Sequence, residues 1–167
     1  MKRSAALKPL SRDHHQALVV AQKLRRATAR DAAETTRFFL DFWRRHGHAH
    51  FRVEEDLLLP AYAQFGDARH EAVVRVLTDH VLIRARASAL EARHRPVLEP
   101  LHELGGLLEA HVRHEERVLF PLIEEALPPE RLATLAAEVE GSPPGTLRSP
   151  CDEVSRSFAS MPPAIAA

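Results

Sequence analysis

Leu7, Leu10, His14, Ala17, Ala21 and Leu24 recur at alternating spacings of three and four. That rhythm lines one face of a helix, with a histidine set into an otherwise apolar stripe. Ser11 is the expected N-cap, and this first helix is expected to end near Ala29. A second stripe follows Asp31 and carries Phe38, Phe39, Phe42, Trp43, His46, His50, Glu54, Leu57 and Leu58 inward. After the turn at Gly66-Asp67, a third helix is expected from about Asp67 to Arg93, with Val73, Val76, Leu77, His80, Ile83 and Ala87 inside. His94-Arg95-Pro96 breaks it, and a fourth stripe reads Leu101, Leu104, Leu108, His111, Glu115, Val118, Leu122.

Strand patterns are nearly absent, so the chain is expected to be all-α. Four long helices with short connections favour an up-down-up-down four-helix bundle over residues 1–128. Pro128-Pro129 closes it, leaving 129–167 as a short C-terminal extension: one helix near Glu130 to Glu140, then a Pro- and Ser-rich tail.

The polar residues within the stripes are what alter this picture. His50-Phe51-Arg52-Val53-Glu54-Glu55, with Pro60 ten residues after its histidine, is repeated as His111-Val112-Arg113-His114-Glu115-Glu116, with Pro121 ten residues after its own. Asp13-His14 precedes the first copy and Asp79-His80 the second. Residues four apart on a helix differ by about 40° in azimuth, so each histidine and its glutamate face the same point. A single such pair is ordinarily a surface contact. Both pairs here lie on apolar stripes, where a glutamate without a partner costs several kcal/mol.

A metal resolves that cost. Four imidazoles and two carboxylates with no thiolate suit iron, with manganese or zinc as alternatives. His14 and His50 are expected on one iron and His80 and His111 on the other. Glu54 and Glu115 would bridge, with a water-derived oxo or hydroxo group as third bridge. His14 is preferred to His15 because only it completes the stripe. Glu55 and Glu116 point about 100° further round and read as outer or surface carboxylates. His46 has three readings: a fifth imidazole, an outer hydrogen bonder or a packed histidine. His48, His70, His94, His102 and His114 are expected on the surface.

Lys+Arg and Asp+Glu both number 23, so no net field argues for nucleic acid or an anionic membrane. The single cysteine, Cys151, forms no internal disulfide. No run of eighteen apolar residues is present, so no membrane span is expected, and a cytoplasmic location is the default.

The segments "HAHFRVEEDLLLPAY" and "LLEAHVRHEERVLFPLIEE", with "LSRDHHQAL" and "LTDHVLIR", resemble the four helices of the hemerythrin-like, or HHE cation-binding, family over about residues 7 to 127. The resemblance implies a bundle around a non-haem di-iron centre with an oxygen bridge, and selects His14 (or His15), His50, Glu54, His80, His111 and Glu115. Two features depart from oxygen-carrying hemerythrins. Arg84 stands where they place a further histidine, and Glu115 lies four residues after His111 where they have an aspartate five after. Six ligands leave each iron short of a full octahedral set, and dioxygen, peroxide or nitric oxide is expected as the small ligand, in binding or sensing. A di-iron enzyme and a labile iron donor are the competing functions.

Overall fold

Proline is tolerated in the first turn of a helix, where its missing N–H has no partner to lose. The first helix, α1 (Lys8–Arg25), begins on Pro9 in this way. The chain enters it through the Ser4 carbonyl, which accepts from the Leu7 and Lys8 amides at 3.2 Å each. Ser11 therefore lies inside the helix and does not cap it, and the helix stops at Arg25, ahead of the expected Ala29.

The computed structural model describes residues 3–93 and 97–141, so the His94-Arg95-Pro96 break and the expected tail lie outside the described residues. Ala32–Phe42, Trp43–Gly47, His48–Val53, Glu54–Leu58 and Leu59–Tyr62 follow without interruption as one helix, α2, over residues 32–62. The third helix is α3 (Glu71–Glu91). It starts later than the expected Asp67 because the His70 imidazole accepts the Ala72 amide and caps it. Leu98–His114, Glu115–Leu119 and Phe120–Ala126 make α4, residues 98–126, and α5 (Pro129–Glu140) follows as expected. No strand occurs among the described residues, and none of their helices is long and apolar enough to cross a membrane. The chain forms a helical bundle, with α5 packed beside it.

Three turns of these helices are π-helical: Trp43–Gly47, Glu54–Leu58 and Glu115–Leu119. Two of them precede a proline. In the interior of an α-helix, Pro60 would clash with the carbonyl four residues back and leave it without a donor. Widening the turn resolves this: the Leu59 amide reaches the Glu54 carbonyl and the Phe120 amide reaches that of Glu115. Each proline then falls in the first turn of the resumed α-helix. The wide turn adds one residue, so Leu119 is buried in place of the expected Val118, which is 42% exposed, and of the expected Leu57 and Leu58 only Leu58 is fully buried.

The turn at Trp43–Gly47 shifts the first half of α2 in the same manner. The buried sequence is Phe39, Trp43, Gly47, Phe51, a run of fours that an unbroken α-helix would let drift about 40° per step. Phe38 and His46, expected inward, are exposed as a result. Leu77 on α3, also expected inward, is 40% exposed. Gly47 is required here: a Cβ would lie 2.4 Å from the Trp43 ring. Gly105 on α4 is required as well, since its Cβ would meet the Ala21 carbonyl of α1 at 2.8 Å.

The buried apolar side chains form two clusters along the bundle. One holds Leu7, Leu10, Leu58, Tyr62, Val76, Phe120, Ile123 and, from α5, Leu135. The other holds Ala21, Leu24, Phe39, Trp43, Phe51, Ile83, Leu104 and Leu108. The buried polar residues His14, Glu54, His80, His111 and Glu115 belong to neither.

Candidate metal centre

Along α1, His14 falls between Leu10 of one apolar cluster and Ala17 of the other, and the remaining helices make the same transition at His50–Glu54, His80 and His111–Glu115. Four helices thus contribute polar side chains to one buried layer. Glu54, Glu115 and His80 are fully buried, and His14 and His111 nearly so. His15 is exposed, so the choice between the two neighbours is settled for placement: His14 faces the layer.

One ligand atom from each of His14, His50, Glu54 and Glu115 lies within 4.8 Å of the others, and the same holds for Glu54, His80, His111 and Glu115. The two glutamates belong to both groups. Glu54 turns Oε1 toward His50 Nε2 (3.3 Å) and Oε2 toward His80 Nε2 (3.2 Å). Glu115 turns Oε2 toward His14 Nε2 (3.0 Å) and His111 Nε2 (3.3 Å), with Oε1 3.7 Å from His80 Nε2.

These contacts are close but poorly aligned. All four glutamate oxygens, together with His80 Nε2 and His111 Nε2, are buried with no properly directed hydrogen bond. Orphaned polar atoms of this kind are rare in folded proteins. Here they converge on shared points instead of on one another, and imidazole with carboxylate is a donor set that suits a transition metal. The residues fit a cation pair.

The other face of each imidazole is also occupied, in an order that runs round the bundle. Asp13 on α1 lies 3.4 Å from His50 Nδ1 on α2. Glu55 on α2 lies 2.7 Å from His80 Nδ1 on α3. Asp79 on α3 lies 3.7 Å from His111 Nδ1 on α4, and Glu116 on α4 lies 2.7 Å from His14 Nδ1 on α1. Each helix thus sets a carboxylate beside the histidine of the next, within hydrogen-bond reach in every case but Asp79. A carboxylate at Nδ1 fixes the tautomer that leaves Nε2 free for a metal. The sequence reading took Asp13 and Asp79 only as markers of the repeat, and Glu55 and Glu116 as outer or surface groups. Their adjacency to the ligands in both copies was the available signal.

Arg84, in the position of the missing histidine, turns its guanidinium onto Glu55 at 2.8 and 2.9 Å. His46 is exposed, borders a cavity beside the cluster and stands outside both groups of converging ligands. Tyr62 is buried in the apolar cluster.

Burial opposes charge on these imidazoles, yet the carboxylates around them prevail. His14 is raised to about 9 by Glu115 and Glu116, His50 to about 10 by Glu54 and Asp13, and His80 to about 11 by Glu115, Glu54 and Glu55. Burial likewise pushes Glu54 up, but the charge of His50 overrides it and holds the carboxyl well below the usual range. Without metal, the cluster is thus a network of imidazolium and carboxylate, and a metal displaces those protons. Loading two divalent ions at pH 7 is expected to release about two protons, one from His80 and one from the His14–His50 pair, whose Nε2 atoms lie 3.0 Å apart and share a single proton. The metal-free form holds more protons, so affinity rises with pH. Calorimetry in buffers of differing ionisation enthalpy measures the release; a value near zero would contradict this protonation pattern.

A protein-family model described as the hemerythrin HHE cation binding domain matches residues 6–123. Comparisons with curated proteins and with solved structures find no significant match.

Proposed function

Since the chain belongs to the hemerythrin HHE cation-binding family, we propose that it holds two iron ions, bridged by Glu54, Glu115 and a water-derived oxygen, and binds dioxygen or a related small oxidant beside them. The observation that carries this reading is the sharing of the two buried glutamates by both converging groups. His14 and His50 complete one position and His80 and His111 the other. The two positions then have the same donors, two imidazoles and two shared carboxylates. Iron supplies the redox change and open coordination positions. The protein supplies orientation, through Asp13, Glu55 and Glu116 at Nδ1, and exclusion of water, through the apolar cluster on either side.

The space beside the cluster limits what can enter. A cavity of about 20 Å³ adjoins His14, His50 and His111, walled by Ala17, Phe42, Trp43, Phe51, Leu108 and Val112. That is room for about one water-sized molecule, which suits dioxygen or nitric oxide and excludes an organic substrate. Phe42 and His46 border both this cavity and an open cleft of about 300 Å³ outside, and so form the wall between them.

Reversible binding of such a ligand, for binding or sensing, is the reading put to the test. The test is to cycle iron-loaded protein between anaerobic and air-equilibrated buffer while recording the visible spectrum. Repeated, reversible changes are expected. Irreversible bleaching, or catalytic loss of added peroxide with a reductant, would transfer the function to the enzyme reading.

A further inference from the structure

His14 and His80, the two histidines that stand alone on their helices, have matching surroundings. His80 donates from Nδ1 to Glu55 and stacks on Phe51, with ring centroids 3.7 Å apart and planes 15° apart. Arg84 grips that same Glu55 through both nitrogens and lies 5.4 Å over that same Phe51 ring. His14 donates from Nδ1 to Glu116 and stacks on Phe120, with centroids 5.2 Å apart and planes 16° apart. Arg3 binds Glu116 at 2.6 Å and lies 5.2 Å over the Phe120 ring.

The internal repeat does not dictate this match. Phe51 follows its histidine by one position, whereas Phe120 comes nine after His111, and Val112 and Leu59 occupy the corresponding sites. Arg84 is four residues after His80, whereas Arg3 is eleven before His14. Two unrelated stretches thus supply the same three groups in the same relation: an acceptor for Nδ1, a ring against the imidazole face, and an arginine over both.

We propose that Arg3 and Arg84 are matched positioning residues, each fixing one outer glutamate and one phenylalanine so that His14 and His80 present Nε2 to the metal pair in a single orientation. Arg84 does so as a two-pronged fork on Glu55. Arg3 divides its donors among the Glu116 carboxylate, the Glu116 carbonyl (3.0 Å) and Glu124 (3.1 Å), so the N-terminal segment is tied to α4. Arg84 is thereby not a vacant ligand position. It acts on the metal through Glu55 and His80, and its charge disfavours oxidation of a nearby metal.

The inference rests on the metal pair for its purpose but not for its first test. In protein labelled with ¹⁵N, zinc-loaded or metal-free, the His80 Nδ1–H is expected to exchange slowly with water. Arg84→Met should accelerate that exchange, while Arg84→Lys restores it only in part because a point charge cannot hold both carboxylate oxygens. Far-ultraviolet circular dichroism checks that the variants keep their helices. On iron-loaded protein, Arg84→Met should also weaken metal binding by roughly 10-fold and lower the reduction potential, with Arg84→Lys keeping the potential closer to wild type. Unchanged exchange in a folded Arg84→Met protein would overturn the proposal whatever the metal content. Failure of the wild-type chain to bind two metals would instead count against the proposed function, leaving the exchange result to decide the role of Arg84.

Discussion

Glu54→Ala is expected to empty both metal positions, and Glu115→Ala to do the same. Glu54 turns one oxygen toward each half of the site, and Glu115 turns a single oxygen toward His14 of one half and His111 of the other, so removing either glutamate takes a donor from both groups together. Loss of a carboxylate that only orients an imidazole, such as Glu55, is expected to weaken binding by roughly 10–100-fold. Loss of the shared glutamate should exceed that range, and the chain should retain less than one metal after gel filtration. Glu54→Gln separates charge from shape: it fills the same space but offers a weaker donor, and should also fail to hold the pair. A Glu54→Ala protein that keeps one tightly bound metal would show that the two positions are independent and that Glu54 serves only one of them.

Chelation of the metals is expected to lower the melting temperature by about 10 °C or more. The metal-free layer keeps carboxylate oxygens and imidazole nitrogens buried without aligned partners, each an unfavourable desolvation. Ligands that bind only the folded state stabilise it by about 4 kcal/mol at a thousandfold excess over Kd. In a chain of this size each kcal/mol moves the midpoint by about 2–4 °C. Protonation of His80 and of the His14–His50 pair recovers part of the loss by pairing them with the glutamates, so the metal-free chain should still fold. Melting curves with and without chelator measure the difference. Coincident curves would mean that the layer is satisfied without metal.

The inward stripes of α1 and of α4 up to Glu115 were legible because their apolar spacing is that of a regular α-helix. So was the convergence of the six candidate ligands, because each histidine–glutamate pair spans one regular α-turn ahead of the widening at its proline. What lay beyond the pattern was the widening itself. Pro60 and Pro121 were visible as part of the repeat, but a fixed 3.6-residue period placed Val118 inside, where the structure buries Leu119, and gave Leu57 the same place as Leu58, where only Leu58 is fully buried. Phe38 and His46 were misplaced for the same reason, by the turn at Gly47 that no proline announces. The carboxylates at Nδ1 were hidden differently. Asp13 serves His50 and Glu116 serves His14, each on a neighbouring helix, and no spacing within one helix predicts such a pairing. Arg3 shows the limit of the approach: it lies before the first helix, yet reaches Glu116 across 113 positions of sequence.

The most direct measurement is the number of metal ions per chain, by elemental analysis of protein loaded with iron, freed of excess and assayed beside Glu54→Ala. Two per wild-type chain, falling below one in the variant, is the predicted result. One ion in the wild type, or two in both proteins, would contradict a centre built on shared glutamates.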